Sequence, residues 1–381
     1  MPTILFGISS SFCAHFMKGQ VAYLVSKGFR VVVISGTGEE ISALCAAEGA
    51  ELIPLPFSRS ITPLHDLVLL FRLMRIIQQV KPDIINAGNP KPGLLLTLAA
   101  WILRKEGRVF TLHGLVSDSR EGFQRWMISQ FEKLSCSLAQ KVLVVSPSLA
   151  QHAIRRGLLS SPKAVVIEKG SYNGIDLHRF QRTPAVMKQV DALRAAQNIM
   201  DHHFVFGFVG RITVDKGIDL LMTAFEQLYI EDARVRLIMA GPLDEENALP
   251  SALLQRLNHH PGVRLLGKVS DIVPVYPMMQ VLVLSSYREG FGNVLLEAAA
   301  MDVPVIAPSI PGCSDAMKPG INGLSFPKGD VAALYQTMKT YVDNPSLQAQ
   351  HASAGRAFAA GFDPVSIWDG QLAVYQGLMD K

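Results

Sequence analysis

Cysteine is scarce and scattered: four residues in 381, at Cys13, Cys45, Cys136 and Cys313, with none of the paired spacings of a zinc site or a disulfide framework. A disulfide-stapled secreted domain is therefore excluded, and a reduced, cytoplasmic setting fits. Long apolar runs are also missing. The longest, Gly93 to Leu103, falls short of the roughly 20 residues that cross a bilayer. The first residues, Met1-Pro-Thr-Ile-Leu-Phe6, lack a basic region, a long apolar segment and a small-residue cleavage site, so they read as a first strand and export is not expected. No Gly-x-Gly-x-x-Gly follows that strand and no P-loop occurs, which argues against a dehydrogenase and a P-loop NTPase. There is no recognition helix, zinc finger or basic stripe with interleaved aromatics for nucleic acid, and no short-period repeat of the kind that builds a solenoid.

What is present is enough apolar residue, 49%, to fill two cores, and the length suits two domains of about 180 residues each. The charge is uneven. Through Asp176 it is +7, and the remainder carries −3. A basic first half suits an anionic surface or a phosphorylated acceptor; the simpler reading is solvated surface charge.

Short apolar or β-branched runs at 3–8, 30–35, 51–55, 83–87, 107–111 and 141–145 alternate with helical patterns at 15–27, 64–80, 92–104 and 121–139. The second half repeats the rhythm, with strands at 204–209, 234–239, 263–266, 280–285, 303–307 and 323–326 and helices near 217–229, 250–259, 293–301 and 330–342. Alternation of this kind implies parallel sheets. We expect an α/β protein of two Rossmann-like, doubly wound domains facing a cleft: 1–176, 177–362, and a last amphipathic helix, 363–381, with Ile367, Trp368, Leu372, Tyr375 and Leu378 near one face. Asn173-Gly-Ile-Asp176 marks the junction.

The most informative stretch is Glu289-Gly-Phe-Gly-Asn-Val-Leu-Leu-Glu297, two carboxylates around a glycine-rich turn. Gly290 and Gly292 let backbone approach a bound group. Asn293 is expected to cap a helix starting at Val294. Bare N–H groups at that helix end suit phosphate or sugar oxygens, and Glu297, placed in the first turn, suits vicinal hydroxyls. The simpler reading is a capped helix after a buried strand. Upstream, Phe206 to Gly217 reads as a strand and a turn carrying Arg211 and Lys216, a pair able to clamp a diphosphate, the guanidinium bidentately and the ammonium as a point charge.

Together with the Gly7-Ile-Ser-Ser-Ser11 loop, Thr111-Leu-His-Gly114, Val144-Val-Ser-Pro147, Asn173-Gly-Ile-Asp176 and Met239-Ala-Gly241, these pieces resemble the retaining glycosyltransferases of family four, which have the GT-B fold. The resemblance spans most of the chain. It implies a nucleotide-sugar donor held mostly by the second domain and a glycan acceptor held mostly by the first, with the C-terminal helix returning to the first domain. Arg211 and Lys216 match the diphosphate pair, and they would stabilise charge growing on the leaving nucleotide. Glu289 and the N–H groups of Phe291, Gly292 and Asn293 match contacts to the donor sugar, with Gly290 in the same turn, and Glu297 matches the ribose contact. Gly210 and Gly241 complete the donor loops, and the base rests near Gly267-Lys268-Val269. His113 aligns with a histidine near the donor sugar; a lone histidine is more often structural. Gly7 and the Ser9–Ser11 loop face the phosphates or the acceptor, although a serine run stands where the family commonly has Gly-Gly. Metal-dependent transferases of the other common fold carry Asp-x-Asp, which this sequence lacks, so neither a metal nor another cofactor is expected.

The stretch Asn86 to Gly93, followed by Trp101, Arg104, Lys105 and Arg108, is similar to bacterial members that build surface polysaccharides on polyprenyl diphosphate. Ser10, Lys91, Arg120 and Arg125 are the acceptor-side candidates. The resemblance implies a peripheral enzyme on the inner face of the cytoplasmic membrane; alternatively these helices only cover the sheet. The donor expected is a UDP-hexose or UDP-N-acetylhexosamine. Two other readings stand beside this one, a UDP-sugar 2-epimerase-like isomerase and a non-catalytic sugar-nucleotide binder.

Overall fold

The computed structural model describes residues 1–57, 62–88, 90–244 and 248–380, with only the backbone of Phe12; Asn89, in the Asn86–Gly93 stretch, and Lys381, in the last segment, lie outside the described residues. The chain divides into two compact units, Met1–Gly174 with Pro364–Lys381, and Ile175–Asp363.

The first unit alternates β1 (Thr3–Gly7), α1 (Gln20–Ser26), β2 (Arg30–Ser35), α2 (Glu39–Glu48), β3 (Glu51–Pro54), α3 (Pro63–Val80), β4 (Ile84–Gly88), α4 (Pro90–Ile102), β5 (Arg108–Leu112), α5 (Gly122–Leu138), β6 (Lys141–Val144), α6 (Pro147–Arg155) and β7 (Ala164–Val165). The strands form one sheet in the order β3-β2-β1-β4-β5-β6-β7, with parallel pairing throughout. The inner strands are apolar runs because both faces are covered. Val31, Val33, Ile4 and Phe6 pack with α1, α2 and the C-terminal helix on one side, and Leu5, Val32, Ile34 and Ile85 pack with α3 and α4 on the other.

The C-terminal helix, Pro364–Met379, buries Ile367, Leu372, Tyr375 and Leu378. Trp368 Nε1 donates to Asn173 Oδ1 (2.7 Å), and Asn86 Nδ2 donates to the Tyr375 hydroxyl (2.7 Å).

The second unit runs α7 (Pro184–Ala196), β8 (Phe204–Val209), α8 (Ile218–Glu231), β9 (Val235–Ala240), α9 (Ser251–His259), β10 (Val263–Gly267), β11 (Val281–Val283), α10 (Asn293–Ala300), β12 (Val305–Pro308), α11 (Cys313–Ala316), β13 (Gly323–Phe326), α12 (Val331–Asp343) and α13 (Pro345–Ala359). Its sheet is again parallel, in the order β10-β9-β8-β11-β12-β13. Its core gathers Phe206, Phe208, Leu221, Phe225, Leu237, Val283 and Phe326.

Several helices were not foreseen: α2, α6, α7, the short α11 and α13. The stretch holding α7 reads as poor in apolar pattern, and only Val190 is buried along it. Local chemistry starts this helix instead: Thr183 Oγ1 accepts from Val186 N (3.2 Å), with Pro184 in the first position. Ser146 and Pro147 start α6 in the same way. The helix expected over 15–27 is split. A 3-10 segment, Ser11–Met17, precedes it, and Gly19 turns the chain with φ 81° where the Trp368 ring leaves no room for a Cβ.

Candidate active site

In each sheet the strand order reverses direction once, between β1 and β4 in the first and between β8 and β11 in the second. Loops leaving the carboxyl ends of such neighbouring strands diverge and open a crevice, where open α/β sheets bind ligands.

In the second unit, Gly210 and Arg211 follow β8, Gly241 follows β9, Lys268 and Val269 follow β10, and Glu289 to Gly292 lie between β11 and α10, which Asn293 opens. The β8 and β11 loops are tied together. Lys216 Nζ donates to Glu289 Oε1 (2.5 Å), which also accepts from the Ser286 hydroxyl (2.7 Å). Ser285 Oγ donates to the Lys216 carbonyl (2.8 Å). Gly217, at φ 64°, has the Ser285 carbonyl 2.1 Å from where a Cβ would stand. Gly312 approaches the Glu289–Gly290 backbone as closely, its absent Cβ 2.5 Å from the Gly290 carbonyl oxygen.

The diphosphate candidates are therefore not bare cations. Arg211 is paired with Asp244, whose side chain is buried, and Lys216 is paired with Glu289. Asp215 adds a third link, accepting from Thr213 and pairing with Arg288 at 3.1 Å. Burial pushes the Asp215 carboxyl up, but the Thr213 hydrogen bond and the charges of Arg288, Lys216 and Arg211 outweigh it and hold it below the usual range. Such a constellation holds three cations preorganised beside one another, with carboxylates that an incoming polyanion would replace as partners.

The helix start differs from expectation. Asn293 is the first residue of α10, and the preceding residue, Gly292, makes no side-chain cap. The Asn293 N–H donates to the Phe291 carbonyl (3.0 Å) and the Leu295 N–H to the Gly292 carbonyl (2.8 Å), so neither is bare. The N–H groups of Phe291 and Gly292 have no partner among the described residues. The Phe291 ring is buried, 5.6 Å from that of Phe362. Glu297 falls beyond the first turn of α10, which holds no acid. Its carboxylate accepts from the Tyr276 hydroxyl; burial raises its pKa, against that hydrogen bond and the charge of Arg179.

In the first unit, Gly7 ends β1 beside Ile34 and Ala87, and Leu96 Cδ2 lies 2.6 Å from where its Cβ would stand, so close packing is itself a reason for a small residue here. The Ser10 carbonyl accepts from Cys13 N (2.9 Å), and Ser11 Oγ accepts from Ile41 N (3.1 Å). The serine run thus closes turns within its own unit. His113, after β5, lines a small pocket with Gly7, Cys13, Asn86, Gly88 and Tyr172. Its ring stacks 5.6 Å from Phe16 and meets Tyr172 edge-on at 4.9 Å. Burial pushes its pKa down to about 4, with His15 adding to the effect. The imidazole is therefore neutral near pH 7, suited to hydrogen bonding rather than to charge.

Because the folded value lies below the ordinary 6.5, stability from neutral His113 is complete above pH 6.5 and lost as pH falls toward 4, up to about 3 kcal/mol. His113→Gln should accordingly flatten the decline of melting temperature between pH 7 and pH 4. Parallel declines in the two proteins would contradict a histidine held neutral by its surroundings.

The acceptor-side candidates are not brought together. Lys91 is committed to Asp66 (2.6 Å), a mostly buried pair joining α4 to α3. Arg120 and Arg125 are exposed, and Arg125 lines an open groove of about 310 Å³ with Trp126, Lys133 and Arg156. Four site residues escaped the sequence reading: Asp244, Asp215, Arg288 and Tyr276. Asp244 had a legible signal, an acid three positions after the strand-end Gly241. Tyr276 sits in a 3-10 turn and had none.

Two parallel-sheet units with ligand loops at the carboxyl strand ends define a GT-B protein. Residues 16–179 match the model of Glycosyltransferase Family 4 and residues 203–344 that of Glycosyl transferases group 1. The capsular polysaccharide biosynthesis glycosyltransferase CapM of Staphylococcus aureus is 32% identical over 366 residues, 96% of this chain and 94% of the relative. The N,N'-diacetylbacillosaminyl-diphospho-undecaprenol alpha-1,3-N-acetylgalactosaminyltransferase of Campylobacter jejuni is 25% identical over 333 residues, 86% of each chain. Among solved structures, Anabaena Alr3699/HepE in complex with UDP-glucose superposes with a TM-score of 0.81 at 21% identity, covering 100% of both chains. The chain belongs to the family 4 glycosyltransferases. As a class it is a transferase, not the isomerase held as an alternative.

Proposed function

We propose that this glycosyltransferase moves a hexose or N-acetylhexosamine from a UDP-sugar, with retention and without a metal, to a glycan carried on polyprenyl diphosphate, in the synthesis of a bacterial surface polysaccharide. The names of the CapM and Campylobacter relatives and the ligand of the HepE structure support this choice of acceptor and donor. The observation that carries the reading is the joining of the β8 and β11 loops by Lys216 and Glu289 at the switch point of the second sheet.

In this mechanism the donor diphosphate takes over Arg211 and Lys216 from Asp244 and Glu289. The bond between the anomeric carbon and the diphosphate oxygen breaks, and its electron pair leaves with UDP. The acceptor hydroxyl forms its bond on the same face, and its proton passes to the departing phosphate oxygen. Retention by double displacement would need a carboxylate close beneath the anomeric carbon; Glu289, given up by Lys216 to the donor and still held by Ser286, is read instead as a sugar contact. The protein contributes position and charge stabilisation. Glu297, oriented by Tyr276, takes the ribose hydroxyls. The enzyme would act at the cytoplasmic face of the membrane as a peripheral protein; no helix among the described residues is long and apolar enough to cross one.

Thermal shift against UDP-, GDP-, ADP- and dTDP-sugars without metal tests the donor. A saturating UDP-sugar, at a hundred times its Kd, should stabilise the protein by about 2.7 kcal/mol, and Glu297→Ala should lose most of that shift. No response to any nucleotide sugar would remove the reading.

A further inference from the structure

The first unit carries an apolar face that its own fold leaves uncovered. Along α3, Leu64, Leu67, Val68 and Phe71 recur at helical spacing on the side opposite the buried Leu69, Leu73 and Ile77. Near the start of α5, Phe123 and Trp126 stack with ring centroids 5.6 Å apart. All six side chains are between 51% and 83% exposed. Single exposed apolar residues are ordinary on a soluble protein, but six in two groups are not.

The topology places the two groups at one edge. Helices α3, α4 and α5 pack side by side, and each connects parallel strands, so all three run opposite to the strands. The N-terminal halves of α3 and α5 therefore lie at the carboxyl ends of the strands, the edge where β1, β4 and β5 release Gly7, Gly88 and His113. Trp101 and Ile102, also exposed, sit at the far end of α4 and do not belong to this face.

The surrounding charge selects the occupant. Arg72 and Arg75 continue α3 beyond the stripe, and Arg120 and Arg125 flank Phe123; all four are exposed. The nearby acids are Asp66, committed to Lys91, Asp118, paired with His152 and Arg156, and the exposed Glu121. A helix with an apolar face, arginines beside it and aromatic anchors is the pattern of a segment lying in a membrane interface. A second copy of the chain would bring the same arginines against one another.

We propose that the N-terminal halves of α3 and α5 dock this unit onto an anionic lipid bilayer, with Leu64, Leu67, Val68, Phe71, Phe123 and Trp126 entering the headgroup layer and the arginines meeting lipid phosphates. This rests on the proposed action at a membrane surface and names the face responsible.

The test is flotation of the full chain with vesicles of phosphatidylglycerol and phosphatidylcholine in equal parts, and with phosphatidylcholine alone, at low and high salt. Binding to the anionic vesicles is expected, weakened by salt and reduced about tenfold or more in Phe71→Glu and in Trp126→Glu. Both variants should keep the thermal shift with UDP-sugar, which also shows that they fold. Absence of binding to anionic vesicles, or equal binding by both variants, overturns the proposal. So does a wild-type dimer in sedimentation that becomes monomeric in the variants without vesicle binding, because the face would then be a self-association surface. A missing UDP-sugar shift in the wild type would instead sink the donor reading and leave the vesicle result standing.

Discussion

Lys216→Ala is expected to lower turnover by a factor on the order of 10² to 10³, as loss of one preorganised charge at a leaving group does, while donor affinity falls only a few-fold. Arg211 remains to hold the diphosphate in the ground state, whereas the ammonium matters most as negative charge accumulates on the departing oxygen. Lys216 also holds Glu289 at 2.5 Å, so the substitution leaves a mostly buried carboxylate with Ser286 as its remaining hydrogen-bond partner on this side. The double variant with Glu289→Gln removes that stray charge and separates the two contributions. Steady-state turnover together with donor Kd from calorimetry decides the matter. Unchanged turnover would sink the role given to Lys216, and a loss confined to affinity would reduce it to ground-state binding.

Gly241→Ala should be the most damaging single methyl in the second unit. Gly241 has φ 148°, and a Cβ there would stand 1.8 Å from the Gly210 carbonyl oxygen and 2.6 Å from its carbon. Both are backbone atoms at the end of β8, so no side-chain rotation relieves the overlap. A loss of about 3 kcal/mol or more follows from combined backbone strain and overlap, seen as a fall of roughly 6–12 °C in the melting of a unit this size. Gly267→Ala is the control. It shares a positive φ, 64°, but its Cβ would meet nothing within 4 Å, so only about 1–2 kcal/mol of left-handed strain applies. Equal losses at the two positions would show that the contact between the β8 and β9 ends is not what makes Gly241 a glycine.

The β/α rhythm was legible because strands buried on both faces must be apolar throughout, and runs such as Phe206 to Val209 and Val281 to Leu284 stand out against polar loops. Helices α3, α5, α8 and α12 were legible from their apolar spacing. Helices that bury little, such as α7, were not, since caps like Thr183-Pro184 carry their signal in two residues rather than in a period. At the site, Arg211, Lys216 and Glu289 were legible as charged residues in glycine-bearing turns after strands. Their partners were harder: Asp244 lies 33 positions from Arg211 and Glu289 lies 73 from Lys216, distances over which local pattern carries no information. The expected Asn293 cap failed for a local reason. The turn tightens through its own backbone, Asn293 N–H to the Phe291 carbonyl, and Asn293 enters the helix instead of preceding it.

The sequence by itself determined the class of architecture, two parallel α/β units, and the residue types at the loop ends, because both follow from burial and from backbone freedom, which are local. Only the tertiary structure decided how those charges are spent. The order β9-β8-β11-β12 sets the β8 and β11 loops beside each other, so Lys216 meets Glu289 and Arg288 meets Asp215. In the first unit, Lys91 is taken by Asp66, and the α3 stripe and the α5 aromatics come to one edge because parallel strands force their connecting helices to run the same way.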